Sequence, residues 1–165
     1  MRKGLKLPTI PFKKCVETIL PFASQIAIMV DIENDLRECH LSTQLIDDFH
    51  HHWKKSWQDF SYCLLGGETC YSGQSRAIRI LSDLGKQNYG KTILLSTHGN
   101  LISLILNKID PSFKAAQAAE LRNPDLFALN FSEGILEWDK AFNGRKIIET
   151  FSTHSNETPI RRSPS

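Results

Sequence analysis

The turn S-T-H-G-N, residues 96–100, carries the residues best placed to do chemistry. Before it, Thr92 to Leu95 are β-branched and aliphatic, which predicts a strand buried on both faces. After it, Leu101 to Leu106 are apolar and Asn100 is a favourable N-cap, which predicts a helix. His98 would then follow a strand and precede a helix, where α/β sheets bind ligands and anions are favoured. On position alone, a structural role for His98 is equally compatible.

Ionisable residues also occur in three earlier segments. A helix predicted to begin at Pro11 carries Lys14. The polar loop N-D-L-R-E-C-H contains Glu38 and His40, and such loop charges are ordinarily solvated. The segment G-G-E-T, residues 66–69, precedes a further predicted helix. None of these segments indicates a particular chemistry by itself.

Composition and spacing exclude several classes of function. The net charge of +2 gives no electrostatic footprint for nucleic acid, and no run approaches the roughly 20 apolar residues of a membrane span. The four cysteines form no C-x-x-C pair, and the histidines at 50–52 point in three directions around a helix. No metal site or other cofactor is therefore predicted. Without a signal peptide, the chain is expected to be cytoplasmic, with reduced thiols.

A length of 165 residues with 41% hydrophobic content predicts one domain with a real core. The periodicities predict an α/β protein in helix–sheet–helix layers with an antiparallel ending. Helices are predicted after Pro11 (ended or kinked at Pro21), over Thr43–Phe60, from Thr69 to near Gly90, after Asn100 and over Ser112–Arg122. Strands are predicted over Ala27–Val30, Thr92–Leu95, Leu126–Phe131, Ile135–Trp138 and Lys146–Phe151, with turns at Ser132–Gly134 and Asn143–Gly144.

Three regional interpretations complete this outline. An aromatic stripe in the second helix is interpreted as a core face, not a base-stacking platform; its members are Leu45, Phe49, Trp53, Trp57 and Phe60. Residues 1–10 are expected to be an irregular N-terminus ahead of a domain at 11–151. The polar tail at 152–165 is expected to be disordered.

Four segments, in order, resemble motifs of the histidine phosphatase superfamily, the phosphoglycerate-mutase-like proteins. P-F-K-K-C-V-E-T resembles the family's S-P-L-x-R-A-x-x-T, and L-R-E-C-H resembles its L-x-E loop. G-G-E-T followed by Arg76 is similar to G-E-S with a downstream arginine. L-S-T-H-G-N is similar to the S-H-G turn, with Asn100 as in the mutase branch. The resemblance runs from Pro11 to about Phe151 and implies a phosphoglycerate-mutase-like, three-layer fold.

The resemblance also implies a chemistry, phosphoryl transfer through a covalent phosphohistidine. It makes His98 the second, phosphate-binding histidine and Glu38 the acid that protonates the leaving group. Lys14 stands where the family has its second arginine, and Asn100 lies near the phosphate or the substrate. Glu68 and Arg76 are implied to organise the site. The implied ligand is a phosphorylated small molecule or a phosphate-like anion, held by positive donors around a charge-dispersed transition state.

The sequence departs from the family at two points. Lysine at position 14 keeps the charge but loses the planar bidentate fork of arginine. The family's R-H-G motif supplies the nucleophilic histidine, yet His98–Gly99 is the only H-G pair in this sequence. Ten residues before Pro11 are too few for the βαβ unit of roughly 30 residues that would carry the motif. The fold is therefore expected to be truncated and incomplete at its N-terminus.

Three interpretations of this departure remain open. The chain is an active phosphatase in which His40 replaces the nucleophile, a truncated and inactive family member, or a pseudoenzyme. The pseudoenzyme would bind a phosphorylated ligand or a protein partner. Loss of the R-H-G strand is also expected to leave Thr92–Leu95 without at least one of its neighbours, so that the chain self-associates through unpaired strands.

Overall fold

Three parallel strands form the central sheet: β1 (Leu5–Thr9), β2 (Val30–Ile32) and β3 (Thr92–Ile93), in the order β2-β1-β3. The computed structural model describes residues 5–9, 13–25, 27 and 29–147, with side chains from Cys15 onward. Leu7 is in register with Val30, and Leu5 is in register with Thr92. The middle strand of the sheet is thus the first element of the chain.

The prediction of an irregular segment at residues 1–10 is wrong for Leu5–Thr9, which forms β1. Pro8 is opposite Asp31 in the pairing with β2, so a proline lies inside the middle strand. A proline removes one backbone donor from a strand, but the remaining groups of β1 still pair with neighbours on both sides. β1 therefore supplies one neighbour of β3, and β3 has no second partner among the described strands.

Helices cover both faces of the sheet, which confirms the predicted layered α/β architecture. Ile19 and Ala23 of α1 (Lys13–Gln25) pack with Leu94, just after β3. Leu95 packs instead against the larger core of α3 (Cys70–Gln87) and α4 (Gly99–Ile109). Because consecutive residues of an extended chain point to opposite faces, α1 lies on one face, and α3 and α4 lie on the other.

Several boundaries follow the predictions closely. Thr69 caps α3, its hydroxyl accepting a hydrogen bond from the Ser72 amide at 3.1 Å. β4 (Leu129–Ser132) and β5 (Ile135–Trp138) form an antiparallel hairpin. The two turn residues between them, Glu133 and Gly134, both have positive φ, as a tight hairpin turn requires. Phe131 of β4 lies on α3 at Gly85, where an added Cβ would come within 2.5 Å of its ring.

The helix predicted over Thr43–Phe60 is shorter, α2 (Phe49–Gln58). Polar side chains upstream bond to nearby amides instead: Ser42 accepts from Gln44, and Asp48 caps the helix by accepting from His51 at 2.9 Å. The aromatic stripe therefore leaves the core at its start, where Leu45 and Phe49 are exposed. Only Trp57 and Phe60 of the stripe pack against the main core.

Three further predicted boundaries are wrong. α1 continues through Pro21 instead of ending there. The helix predicted over Ser112–Arg122 is α5 (Ala115–Ala119), because the Ser112 amide and hydroxyl both bond to Asp110. Strand β2 begins at Val30, where the strand predicted over Ala27–Val30 was expected to end, and Ala27 has a positive φ of 53°. In the second and third cases a local turn or cap competes with the apolar pattern.

The Asn143–Gly144 pair does not form a hairpin. Residues 144–147 are helical, and the Asn143 side chain caps this turn by accepting from the Lys146 amide at 2.9 Å. Gly144 approaches Leu126 so closely that a Cβ would lie 2.2 Å from its carbonyl oxygen. The predicted strand Lys146–Phe151 is therefore wrong at its start, and its remainder lies outside the described residues. So does the predicted disordered tail at 152–165.

An apolar groove of about 610 Å³ runs beside the outer edge of β3. One wall is the segment 126–131, and the floor includes Leu84 of α3 with Ile102 and Leu106 of α4. Within the described part of the chain, the sheet order leaves β3 at the edge, with β1 as its partner. Among the described residues, the side of β3 away from β1 thus has no strand partner and faces an apolar groove.

Candidate functional site

The loop that carries Glu38 is held in place by its backbone carbonyls. Buried Arg76 on α3 donates through Nη1 to the carbonyls of Asp35 and Arg37, the second at 3.1 Å. The Thr97 hydroxyl donates to the carbonyl of Leu36 at 2.7 Å. Three consecutive carbonyls of the loop are thus bonded to side chains of α3 and of the segment that follows β3.

Arg76 is itself held by Glu68. Its Nε and Nη2 atoms donate to the two carboxylate oxygens at 3.0 and 2.6 Å, forming a bidentate pair. Burial alone would raise the pKa of Glu68, but the hydrogen bonds and charge of Arg76 lower it overall. Glu68 therefore holds Arg76 in place, and Arg76 in turn holds the loop that carries Glu38.

Glu38 extends from this loop to the N-terminus of α4. Its Oε1 accepts from the backbone amides of Cys39 at 2.9 Å and Leu101 at 3.0 Å, and the carboxylate also bonds the Asn100 amide. A side chain of the chain itself thus bonds backbone amides in the first turn of this helix, where negative charge is favoured. Burial raises the pKa of Glu38, and the amide bonds and Arg76 only partly oppose it. A raised pKa makes a carboxyl group better suited to hold and donate a proton than an exposed glutamate.

The raised pKa of Glu38 leads to a prediction about stability. A carboxyl whose folded pKa lies above its unfolded value contributes stability at low pH, and that contribution disappears as the pH rises through the folded pKa. Glu38→Gln should therefore become progressively more stable, relative to the unsubstituted chain, as the pH rises from about 4 to 8. Urea unfolding across this range measures the difference, with the exposed Glu137→Gln as control. If the difference in free energy of unfolding between Glu38→Gln and the unsubstituted chain did not change with pH, the prediction would be contradicted.

His98 and Asn100 belong to the first turn of the same helix. His98 is the N-cap residue of α4, and its half-buried side chain makes no capping bond. The Asn100 Oδ1 atom accepts a hydrogen bond from the indole Nε1 of Trp53, on α2, at 3.1 Å. The structure therefore brings Glu38, His98 and Asn100 together around the beginning of α4.

Lys14 lies in the first turn of α1, and its side chain is outside the described residues. The next residue, Cys15, hydrogen-bonds the Ser96 side chain, and burial raises the pKa of its thiol, with a contribution from the charge of Glu38. The start of α1 is thus near the end of the segment that precedes His98. The position of Lys14 in the chain is compatible with the predicted binding role.

His40 lies elsewhere. It is exposed and lines a pocket with Arg37, Thr43 and Glu68, a pocket to which neither Glu38 nor His98 contributes.

The hydrogen bond from Trp53 to Asn100 could not be predicted from the sequence, because a tryptophan within a helical stripe is usually a core residue. Within the described residues, no group of three potential ligands is placed to hold a metal ion, and no helix is long and apolar enough to cross a membrane.

The sequence model of the "Histidine phosphatase superfamily (branch 1)" matches residues 9–143. No curated protein sequence matches the chain. Solved structures that resemble it include a mycobacterial glucosyl-3-phosphoglycerate phosphatase with inorganic phosphate (17% identity, TM-score 0.63, 83% of this chain and 75% of that one). YhfR of Bacillus stearothermophilus is similar at 16% identity (TM-score 0.66; 84% and 73% of the chains). So is a variant phosphoserine phosphatase of Entamoeba histolytica with phosphoserine, at 20% identity (TM-score 0.64; 82% and 72%).

Proposed function

Since the chain belongs to the histidine phosphatase superfamily (branch 1), we propose that the site at the start of α4 binds the phosphoryl group of a small phosphorylated molecule. The observation that carries this proposal is the arrangement around Glu38. A carboxyl with a raised pKa bonds the first amides of α4, in the same turn as His98 and Asn100. Two of the similar structures, which contain inorganic phosphate or phosphoserine, support the ligand class.

Each residue has a role in this proposal. His98 and Asn100 donate hydrogen bonds to the phosphoryl oxygens, and the side chain of Lys14 supplies positive charge. Glu38, in its protonated form, faces the oxygen that bridges phosphorus to the rest of the ligand. Such a set of donors disperses negative charge, which both binding and phosphoryl transfer require.

Binding is tested by the melting temperature in phosphate or orthovanadate. At about ten times the dissociation constant, a ligand specific for the folded state stabilises it by about 1.4 kcal/mol, which raises the melting temperature by roughly 3–6 °C. His98→Ala combined with Lys14→Ala should abolish the rise. A matched pair, His51→Ala with Lys86→Ala, removes the same residue types from exposed positions and should leave it unchanged. If the rise in melting temperature persists in the double variant His98→Ala with Lys14→Ala, the anion binds elsewhere.

We propose further that this 165-residue chain binds its ligand without turnover. No second H-G pair occurs in the sequence, so the nucleophilic histidine of the family has no counterpart in it. This favours the inactive interpretations over an active phosphatase that uses His40, because His40 lines a different pocket. The two remaining interpretations, a pseudoenzyme and a truncated family member, both place the ligand at the site at the start of α4.

The absence of turnover is tested by labelling. Incubation with an aryl phosphate should yield no acid-labile, base-stable phosphoenzyme above background, because the sequence contains no second H-G pair to supply the family's nucleophilic histidine. Stoichiometric label would refute this prediction. Its loss in His40→Ala, but not in the exposed His51→Ala, would then identify the substitute nucleophile.

A further inference from the structure

Trp53 joins α2 to the first turn of α4. Its indole Nε1 is 3.1 Å from Asn100 Oδ1, across 47 positions of sequence. Its ring is fixed by a series of aromatic contacts that we call the aromatic ladder: Trp53, Trp57, Phe60 and Tyr71. Neighbouring rings of the ladder are 5.9, 5.5 and 5.5 Å apart between centroids. Trp57 and Phe60 in the middle of the ladder pack against the main core, so the indole of Trp53 is held from the core.

The bond determines which way the Asn100 amide faces. An amide oxygen and nitrogen have nearly the same shape, so hydrogen-bond partners decide between the two orientations. The indole N–H is a donor only, so the atom opposite it must be the oxygen of Asn100. The two Nδ2 hydrogens are then the groups that this side chain can offer to a ligand.

We propose that Trp53 is a positioning residue of the site, holding the Asn100 amide so that Nδ2, and not Oδ1, is presented to a bound phosphoryl group. This inference rests on the proposed function, in which Asn100 binds that group. The charge of the ligand makes the orientation matter, because a flipped amide would direct a partly negative oxygen at an anion. Without the indole N–H, both orientations of the Asn100 amide become accessible. Part of the binding free energy is then used to select the orientation that presents Nδ2, so the affinity falls.

Trp57 provides a matched control for this role. It lies one turn further along α2 and is a more central member of the aromatic ladder, packed against the main core. Its buried Nε1 has no hydrogen-bond partner within the described residues. Tryptophan to phenylalanine at either position removes the same atoms, but only at position 53 does it remove a hydrogen bond to the site.

Binding of orthovanadate and of inorganic phosphate is measured for the full chain, for Trp53→Phe, Trp57→Phe and Asn100→Ala, and for the double variant at 53 and 100. Trp53→Phe should weaken binding roughly three- to tenfold, the effect of one hydrogen bond, and Trp57→Phe less than about twofold. The double variant should bind no more weakly than Asn100→Ala, because the indole acts through the amide. The indole N–H resonance of Trp53 should shift in ligand-free Asn100→Ala, and that of Trp57 should not.

Equal affinities for the two phenylalanine variants would overturn the positioning role. The role would also be overturned if the losses of affinity in Trp53→Phe and Asn100→Ala multiplied in the double variant. An indole N–H resonance of Trp53 that does not shift in Asn100→Ala would overturn it as well. Unchanged binding in Asn100→Ala would also overturn it, while leaving a phosphoryl site that depends on His98. If the unsubstituted chain binds neither anion, the proposed function falls and this inference falls with it.

Discussion

Arg76→Ala is expected to lower the free energy of unfolding by about 3–5 kcal/mol, since it breaks a buried ion pair by removing one partner. The substitution leaves the Glu68 carboxylate without its bidentate partner and two loop carbonyls, of Asp35 and Arg37, without a donor. A domain of this size has a total stability of about 5–15 kcal/mol, so much of it would be lost. Urea unfolding followed by circular dichroism measures the change.

Arg79→Ala is the matched control for Arg76→Ala. Arg79 lies one turn further along the same helix and pairs with Asp35 at 2.9 Å, but its side chain is 64% exposed. Exposed pairs contribute about 0–1 kcal/mol, so this variant should remain close to the unsubstituted chain. Similar losses in the two arginine variants would show that the buried position of Arg76 confers no special stability.

The effect of Arg76→Ala should also depend on pH. Arg76 lowers the folded pKa of Glu68, so its contribution is present above the unfolded pKa and is lost as the pH falls through the folded value. The difference between Arg76→Ala and the unsubstituted chain should therefore shrink on acidification. Glu38 behaves oppositely, because its pKa is raised. Arg76→Lys keeps the positive charge but loses the planar guanidinium that bonds both oxygens of Glu68. Its free energy of unfolding should therefore lie between those of Arg76→Ala and the unsubstituted chain.

Much of the candidate site could be predicted because its signals are local. A cap residue and an apolar run predicted the turn and helix that carry His98 and Asn100, and the resemblance of four short motifs to the family implied that Glu38 belongs to the same site. The structure places all three at the start of α4, and the range matched by the family model, residues 9–143, includes them. What the local signals could not show was that Glu38 itself occupies the helix amides, because that contact spans 63 positions.

The parts that could not be predicted depend on contacts between distant segments. β1 contains Pro8, which argues against a strand, yet pairing on both sides stabilises it in the middle of the sheet. Asn143–Gly144 has the composition of a hairpin turn, but Gly144 fits closely against Leu126, and Asn143 caps a helical turn instead. Trp53 belongs to an apolar stripe, yet its polar atom bonds Asn100. Each outcome was decided by a partner that the local sequence does not contain.

The outer edge of β3 is the second feature with a large expected effect. β3 pairs with β1 on one side, and its other side faces the apolar groove. Among the strands that the structure describes, β2 and β3 are the two edges of the sheet. β2 contains the exposed charge of Asp31, whereas residues 92–95 contain no charged residue. Uncharged apolar edges are templates for pairing with another chain, and charges on an edge prevent it. Association should therefore use β3 and not β2.

We expect the 165-residue chain to form dimers or larger species through the β3 edge, in a concentration-dependent way. Thr92→Lys, which adds a charge to that edge, should shift size-exclusion profiles to monomer, and Ile32→Lys on the β2 edge should not. Below the association range, the amides of residues 92–95 that face β1 should exchange slowly and the alternate ones quickly, since an edge strand is bonded on one side only. A monomer at all concentrations in which both sets exchange slowly would contradict this prediction. It would show that another part of the chain already covers the groove and the edge beside it.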